Sequence, residues 1–240
     1  MAPHGPCPPQ ADSAGVGQLD RHGEAAVVYL IHRKLKNTMK LIGSITSPYV
    51  RKARIVLAEK KIEYEFIIES PGSPGSTVAN FNPLARIPVL ILDDETPVFD
   101  SPVIVEYLDN SAPNNKLMPQ PSRERMEVKR WEALADGVLD AAVENRYASL
   151  LDDALQNRSS IARNDAVIIR SLDFMERELG DKPWCMGTHF SLADIAVGSA
   201  LGYLDFRFPR IDWHGTHPGL HKMFDKLMQR PSFQDTVPST

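Results

Sequence analysis

Between Lys40 and Glu69 the hydrophobic pattern changes period twice, and that change restricts the chain to few architectures. Lys40-Leu-Ile-Gly-Ser-Ile45 reads as a short strand. Residues 48–60 follow as a helix, with Val50, Ala53, Val56 and Leu57 at spacings of three and four. From Glu63 to Glu69 the pattern returns to alternation, with Tyr64, Phe66 and Ile68 on one face. A helix joins the two strands and no tight turn intervenes, so they are expected to lie parallel in one open sheet through a right-handed crossover. Arg51, Lys52 and Arg54, off the apolar stripe, are expected to stay largely solvated.

Ser47-Pro48 stands where the first strand meets the helix. Proline suits the first helical position, where its missing N–H breaks no intrahelical bond. Thr46 or Ser47 is then the natural N-cap, because a hydroxyl oxygen can accept from an orphan first-turn amide. Capping alone accounts for such a pair, yet a hydroxyl at a helix N-terminus is also where a sulfur anion can be held.

The rest of the chain divides by pattern. Residues 1–38 open on the Pro/Gly-rich Ala2 to Pro9 and read as a disordered or non-native extension. Pro88 to Leu92 and Pro97 to Phe99 read as hairpin strands around the acidic turn Asp93-Asp94-Glu95. Asp100-Ser101-Pro102 supplies a cap and a proline for a helix that buries Val103, Ile104, Tyr107 and Leu108. These elements make an α/β domain over 39–116. A proline-punctuated linker, 117–122, leads to an all-helical domain over 123–240, with helices near 123–152, 160–179, 191–206 and 217–229. Ser191-Leu-Ala-Asp194 has the spacing of a capping box.

Composition removes several functions. A net charge of -4 argues against nucleic acid as a partner, since phosphate binding needs clustered excess Lys and Arg. Only Cys7 and Cys185 are present, without a CxxC pair or a metal-ligand cluster, so no metal site is expected and a reducing cytoplasm fits best. No apolar run approaches the roughly 20 residues that span a bilayer, so no membrane partner is expected.

Taken in order, four motifs resemble the cytosolic glutathione S-transferase family, bacterial type with serine at the thiol-activating position. They are Ser47-Pro48-Tyr49-Val50, Asn82-Pro83 through Arg86-Ile87-Pro88-Val89-Leu90, Asp100-Ser101 and Ser191 to Asp194. The resemblance covers about residues 39–232. It implies an α/β thioredoxin-like N-terminal domain followed by an all-α C-terminal helical domain, with glutathione as co-substrate. It places the cysteinyl part of glutathione on the backbone before a cis Ile87–Pro88 bond, the γ-glutamyl end at Asp100 and Ser101, and the glycine carboxylate near Arg86. The thiol would lie beside Ser47, with Thr46 or Ser44 as alternative donors. Ser47 and Val50 occupy the ends of what a dithiol oxidoreductase would fill with CxxC, so that chemistry is disfavoured.

The function so implied is activation of the glutathione thiol for attack on a small hydrophobic electrophile, as in detoxification, by a cytoplasmic homodimer. The alternative is a noncatalytic glutathione-binding or protein-interaction module of the same fold. An electrophile pocket is expected on the interdomain face, where Tyr49, Trp131, Arg146 and Tyr147 are candidates that spacing does not single out.

Overall fold

A computed structural model gives the fold of residues 38–239. Strand β1 (Lys40–Gly43) leads into helix α1 (Pro48–Glu59), which returns the chain to β2 (Glu65–Ile68), parallel to β1 with Leu41 opposite Phe66. The short α2 (Val78–Phe81) precedes β3 (Val89–Ile91) and β4 (Pro97–Val98), and α3 (Ser101–Ser111) closes the domain. Of the four side chains expected to be buried on α3, Ile104 and Leu108 are, whereas Val103 and Tyr107 are exposed on the face turned away from the core. β3 pairs antiparallel with β1, Ile42 opposite Val89, and with β4, Leu90 opposite Val98. The sheet order is β2-β1-β3-β4. The parallel crossover and the hairpin are both as expected, with strands shorter than the pattern suggested: β1 ends at Gly43 and β4 at Val98. Helix α2, four residues long, leaves no periodicity in the sequence. Its start is set by Glu69, whose carboxylate accepts from the Ser76 hydroxyl at 2.7 Å and the Val78 amide at 3.1 Å.

The helical domain comprises α4 (Arg123–Ala148), α5 (Arg158–Leu179), α6 (Leu192–Arg207), α7 (Trp213–Thr216), α8 (Pro218–Leu227) and α9 (Pro231–Gln234). α4 stops short of residue 152, and Asp153–Leu155 forms a separate 3₁₀ turn. α6 is buried without a break from Leu192 to Leu204 and packs against α4 and α1. Its capping box is formed: the Asp194 carboxylate accepts from the Ser191 amide at 2.8 Å and, through its other oxygen, from the Cys185 amide at 2.7 Å. The extension read over residues 1–38 lies, but for Thr38, outside the described residues.

One expectation for α1 is overturned. Val50, Ala53, Val56 and Leu57 are fully buried as the period requires, each large side chain contributing about 1.5–3 kcal/mol. Arg51 and Lys52, expected in solvent, are buried too, at 3% and 0% exposure. The helix is covered twice, by the sheet on one side and by α6 and α9 on the other, and the second layer is invisible to the periodicity of α1 alone. The Arg51 guanidinium donates to the Phe233 carbonyl at 3.3 Å and occupies space left by Gly202, where a Cβ would collide with it. Lys52 Nζ bonds Glu132 at 3.1 Å and Asp136 at 2.7 Å, tying α1 to α4. At the start of the unit Gly43 has the same purpose, since a Cβ there would run into Val50. These contacts fix where the N-terminus of α1 stands.

Candidate functional site

The C-terminal end of β1, the entry to β3 and the exit of β4 meet at one end of the sheet. Continuing the β1–β3 register one step past Ile42 and Val89 sets Gly43 opposite Pro88. Continuing the β3–β4 register two steps past Leu90 and Val98 sets Pro88 opposite Asp100. The β1–α1 turn, the Ile87-Pro88 segment and Asp100-Ser101 are therefore gathered by strand pairing alone, although Ser44 and Ser101 lie 57 residues apart in the chain.

Ser47 is the N-cap of α1, half-buried, with its hydroxyl oxygen accepting from the Val50 amide at 3.3 Å. That bond uses an oxygen lone pair and leaves the hydroxyl proton available, so capping and donating to a ligand are compatible. The first turn of α1 holds no acidic residue, leaving its positive end unneutralised. Ser44 and Thr46, the other two hydroxyls of the turn, face each other at 3.3 Å.

Ile87–Pro88 is cis, the isomer the family resemblance implies. The loop before it is held by buried Asn82, whose side-chain amide donates to the Arg86 carbonyl at 2.8 Å and whose oxygen accepts from the Leu84 amide at 3.0 Å. The Ile87 N–H and C=O make no hydrogen bond among the described residues. Arg86 is exposed, and its guanidinium meets no carboxylate among them.

Asp100 stands at the N-cap position of α3, yet its carboxylate caps nothing. The Val103 and Ile104 amides go to its backbone carbonyl at 3.1 and 3.0 Å, and Pro102 has no N–H. The Ser101 amide is left as the first-turn donor without a partner among the described residues, beside a Ser101 side chain that is 2% exposed. The Phe99–Asp100 peptide is also cis, a feature no residue pattern announces.

The flanking ionisable groups are held by the helical domain. Burial, and then a bond to Asp140, push the Tyr49 phenol far above its ordinary range, so it stays protonated. Burial also raises Asp136 despite its contact with Lys52, and lifts the Cys185 thiol well above the usual value, leaving that sulfur inert. Thr46, Ser47 and Pro48 pack with Arg51, with Ser199 and Tyr203 of α6, and with Pro238 around a crevice too small to admit a water molecule. Of the interdomain candidates, Trp131 is core at 4% exposure, while Arg146 is half-buried and Tyr147 exposed at the end of α4. The sequence does not single out Ser199 or Tyr203, because α6 is buried from Leu192 to Leu204 and its pattern does not mark which side chains border the β1–α1 turn.

Family models for the glutathione S-transferase N-terminal domain and C-terminal domain match residues 46–111 and 158–222. The chain is 41% identical to an uncharacterized GST-like protein, YibF, of Escherichia coli (strain K12), over 83% of this chain and 98% of that one. It is 31% identical to glutathione S-transferase U18 of Arabidopsis thaliana, over 83% and 90% of the two chains. The crystal structure of a glutathione S-transferase from Methylobacillus flagellatus KT with GSH bound superposes with a TM-score of 0.82 at 44% identity, covering 84% of this chain and all of that one. A glutathione transferase family member from Pseudomonas fluorescens Pf-5, with bound S-(propanoic acid)-glutathione, gives a TM-score of 0.74 at 35% identity over 84% and 100%.

Proposed function

The chain belongs to the glutathione S-transferase family, and from that premise we propose that it binds glutathione at the open end of its sheet and activates the thiol through Ser47 for attack on a small electrophile. One observation carries this reading: the polar groups that glutathione requires are those this end of the sheet leaves without partners among the described residues. The Ile87 N–H and C=O suit the cysteinyl backbone. The Ser101 amide and hydroxyl suit the γ-glutamyl carboxylate, Asp100 the neighbouring ammonium, and Arg86 the glycine carboxylate.

The thiol then lies beside the Ser47 hydroxyl and the N-terminus of α1. A hydrogen bond to a charged acceptor contributes about 1.5–3 kcal/mol and a helix terminus about 0.3–1 kcal/mol. At about 1.4 kcal/mol per pKa unit, a thiol starting near 8.5 falls by roughly one to three units, less what desolvation restores. The thiolate thus forms at neutral pH without a dedicated base, and its sulfur bonds to the electrophilic carbon as the leaving group departs with the displaced pair. Tyr49 is not the activating group in this scheme, since its hydroxyl is engaged by Asp140.

The bound S-(propanoic acid)-glutathione of the Pseudomonas relative supports extending the reading here to electrophiles that leave a carboxyl-bearing group on sulfur. The homodimer belongs to the same reading, supported by the exposed apolar side chains of Val103 and Tyr107 on α3 and of Met126 on α4. A cytoplasmic setting completes it, supported by the buried Cys185, which forms no disulfide among the described residues.

Steady-state conjugation of glutathione to 1-chloro-2,4-dinitrobenzene, with calorimetry of glutathione binding, tests the proposal. The wild type should turn over, and Ser47→Ala should lose about 10- to 100-fold in kcat while its glutathione affinity stays within about threefold. Binding without turnover would reduce the protein to a noncatalytic glutathione module, and absence of binding would remove the glutathione reading.

A further inference from the structure

The β1–α1 turn faces Ser199 and Tyr203 of α6 across the closed crevice beside Ser47, and Pro238, from the segment that follows α9, completes its wall. The groups assigned to glutathione reach Ser47 from the sheet, at Ile87-Pro88 and Asp100-Ser101. A sulfur held at Ser47 therefore has the sheet end on one flank, and α6 with Pro238 on the other.

Pro238 is attached far more loosely than the chain before it. Phe233 is fully buried and fills space left by Gly198, where a Cβ would collide with its ring. Arg51 and Arg54 donate to the Phe233 and Asp235 carbonyls at 3.3 and 3.2 Å, and the buried Thr236 hydroxyl donates to the Ser232 carbonyl at 2.8 Å. Beyond Thr236 the only hydrogen bond among the described residues runs from the Val237 amide to the Gln234 carbonyl, at 3.4 Å. Val237 and Ser239 are exposed, and the half-buried Pro238 has no N–H by which to be held. Lifting residues 237–239 gives up one long bond and the cover of one proline ring, whereas lifting Phe233 would strip a buried aromatic from the core. Local opening therefore stops at Thr236.

Resting on the glutathione reading above, we infer that Val237–Ser239 is a strap over the thiol site, and that Pro238 determines which electrophiles reach the sulfur. Seated, the strap seals the α6 flank of Ser47 against water and against the second substrate. Swung out about Thr236, it opens that flank to an electrophile that the closed crevice excludes. Its place is beside Ser47, away from the Ile87 and Ser101 groups assigned to the rest of glutathione, so it acts on the second substrate and leaves glutathione binding alone.

Alkylation of a cysteine at position 47 reads this cover without glutathione. In a Cys7→Ala/Ser47→Cys chain, where Cys185 is buried at 2% exposure, monobromobimane reacts at position 47 as the sulfur displaces bromide, which leaves with the bonding pair. The rate should rise about tenfold or more when residues 237–240 are removed, and several-fold in Pro238→Gly, which keeps the length of the segment. Iodoacetamide, a smaller reagent, should gain less. Calorimetry of glutathione on the shortened chain with Ser47 restored should give a Kd within about threefold of the wild type. Equal labelling with and without the segment overturns the inference and leaves the glutathione reading intact. A glutathione affinity that falls about tenfold or more on shortening also overturns it, by placing the segment in the glutathione site. A wild type that binds no glutathione removes the reading, and the inference with it, whatever the labelling shows.

Discussion

The two ends of α1 treat their polar groups in opposite ways. At the C-terminal end Lys60 Nζ bonds the Asp109 carboxylate at 3.1 Å, its carbonyl at 3.2 Å, and the Asn114 and Asn115 carbonyls. Asp109 also accepts from the Leu117 and Met118 amides, which fastens the linker, and Glu59 accepts from Arg230 Nε and Nη2 and from the Ser232 hydroxyl. At the N-terminal end Ser47 accepts one amide, and the neighbouring Ile87 N–H and C=O, Asp100 carboxylate and Arg86 guanidinium have no partners among the described residues. Saturation marks the end that holds the domains together, and unmet hydrogen-bonding capacity, on a rigid frame, marks the end proposed above to receive glutathione.

The largest effect should come from breaking the saturated end. Lys60→Met leaves the Asp109 charge buried without its cation, and urea unfolding should show a loss of about 3–5 kcal/mol. A loss under about 1 kcal/mol would mean that this end is not the clamp. Ser47→Ala should act the other way round, lowering kcat by one to two orders of magnitude while removal of the cap costs about 1 kcal/mol of stability. Asp100→Asn isolates the contrast further. Its carboxylate holds nothing in the folded chain, so stability should change by less than about 0.5 kcal/mol while the Kd for glutathione rises about three- to tenfold. A stability change larger than the binding change would place Asp100 with the scaffold.

The smallest effect concerns acid. Burial alone would raise the Glu59 carboxyl, but bonds from Arg230 and Ser232 outweigh it and hold it below the ordinary value. A lowered folded pKa contributes stability above the unfolded value and loses it as pH falls through the folded one. Glu59→Gln should therefore be less stable at neutral pH and show a flatter decline than the wild type on acidification below the usual carboxylate range, followed by thermal melts between pH 6 and pH 3. Parallel declines would show that the ion pair adds nothing.

Much of this contrast was legible in the residues, and the reasons it was not wholly so are physical. The β1-α1-β2 crossover, the hairpin and the Ser191 to Asp194 capping box follow from short-range patterns that the fold preserves. Ser47, Ile87-Pro88 and Asp100-Ser101 could be picked out because proline and small hydroxyl residues at element boundaries carry strong local meaning. Burial of Lys52 could not be, because the carboxylates that neutralise it, Glu132 and Asp136, lie 80 and 84 residues away on α4. The place of Tyr203 beside Ser47 is not legible for the complementary reason: on a helix buried from Leu192 to Leu204, nothing marks which side chains border the β1–α1 turn. The idle carboxylate of Asp100 runs against its N-cap position and depends on which amides its own carbonyl takes up, a matter of geometry that residue type does not encode.

Ultraviolet difference titration of the glutathione complex across pH, for the wild type and Ser47→Ala, tests the central claim most directly because it reads the thiolate itself. The account predicts that bound thiol ionises well below the ordinary value of about 8.5 in the wild type and returns toward it in the variant. A thiol that titrates identically in the two proteins would contradict the assignment of Ser47 as the donor that holds the sulfur anion.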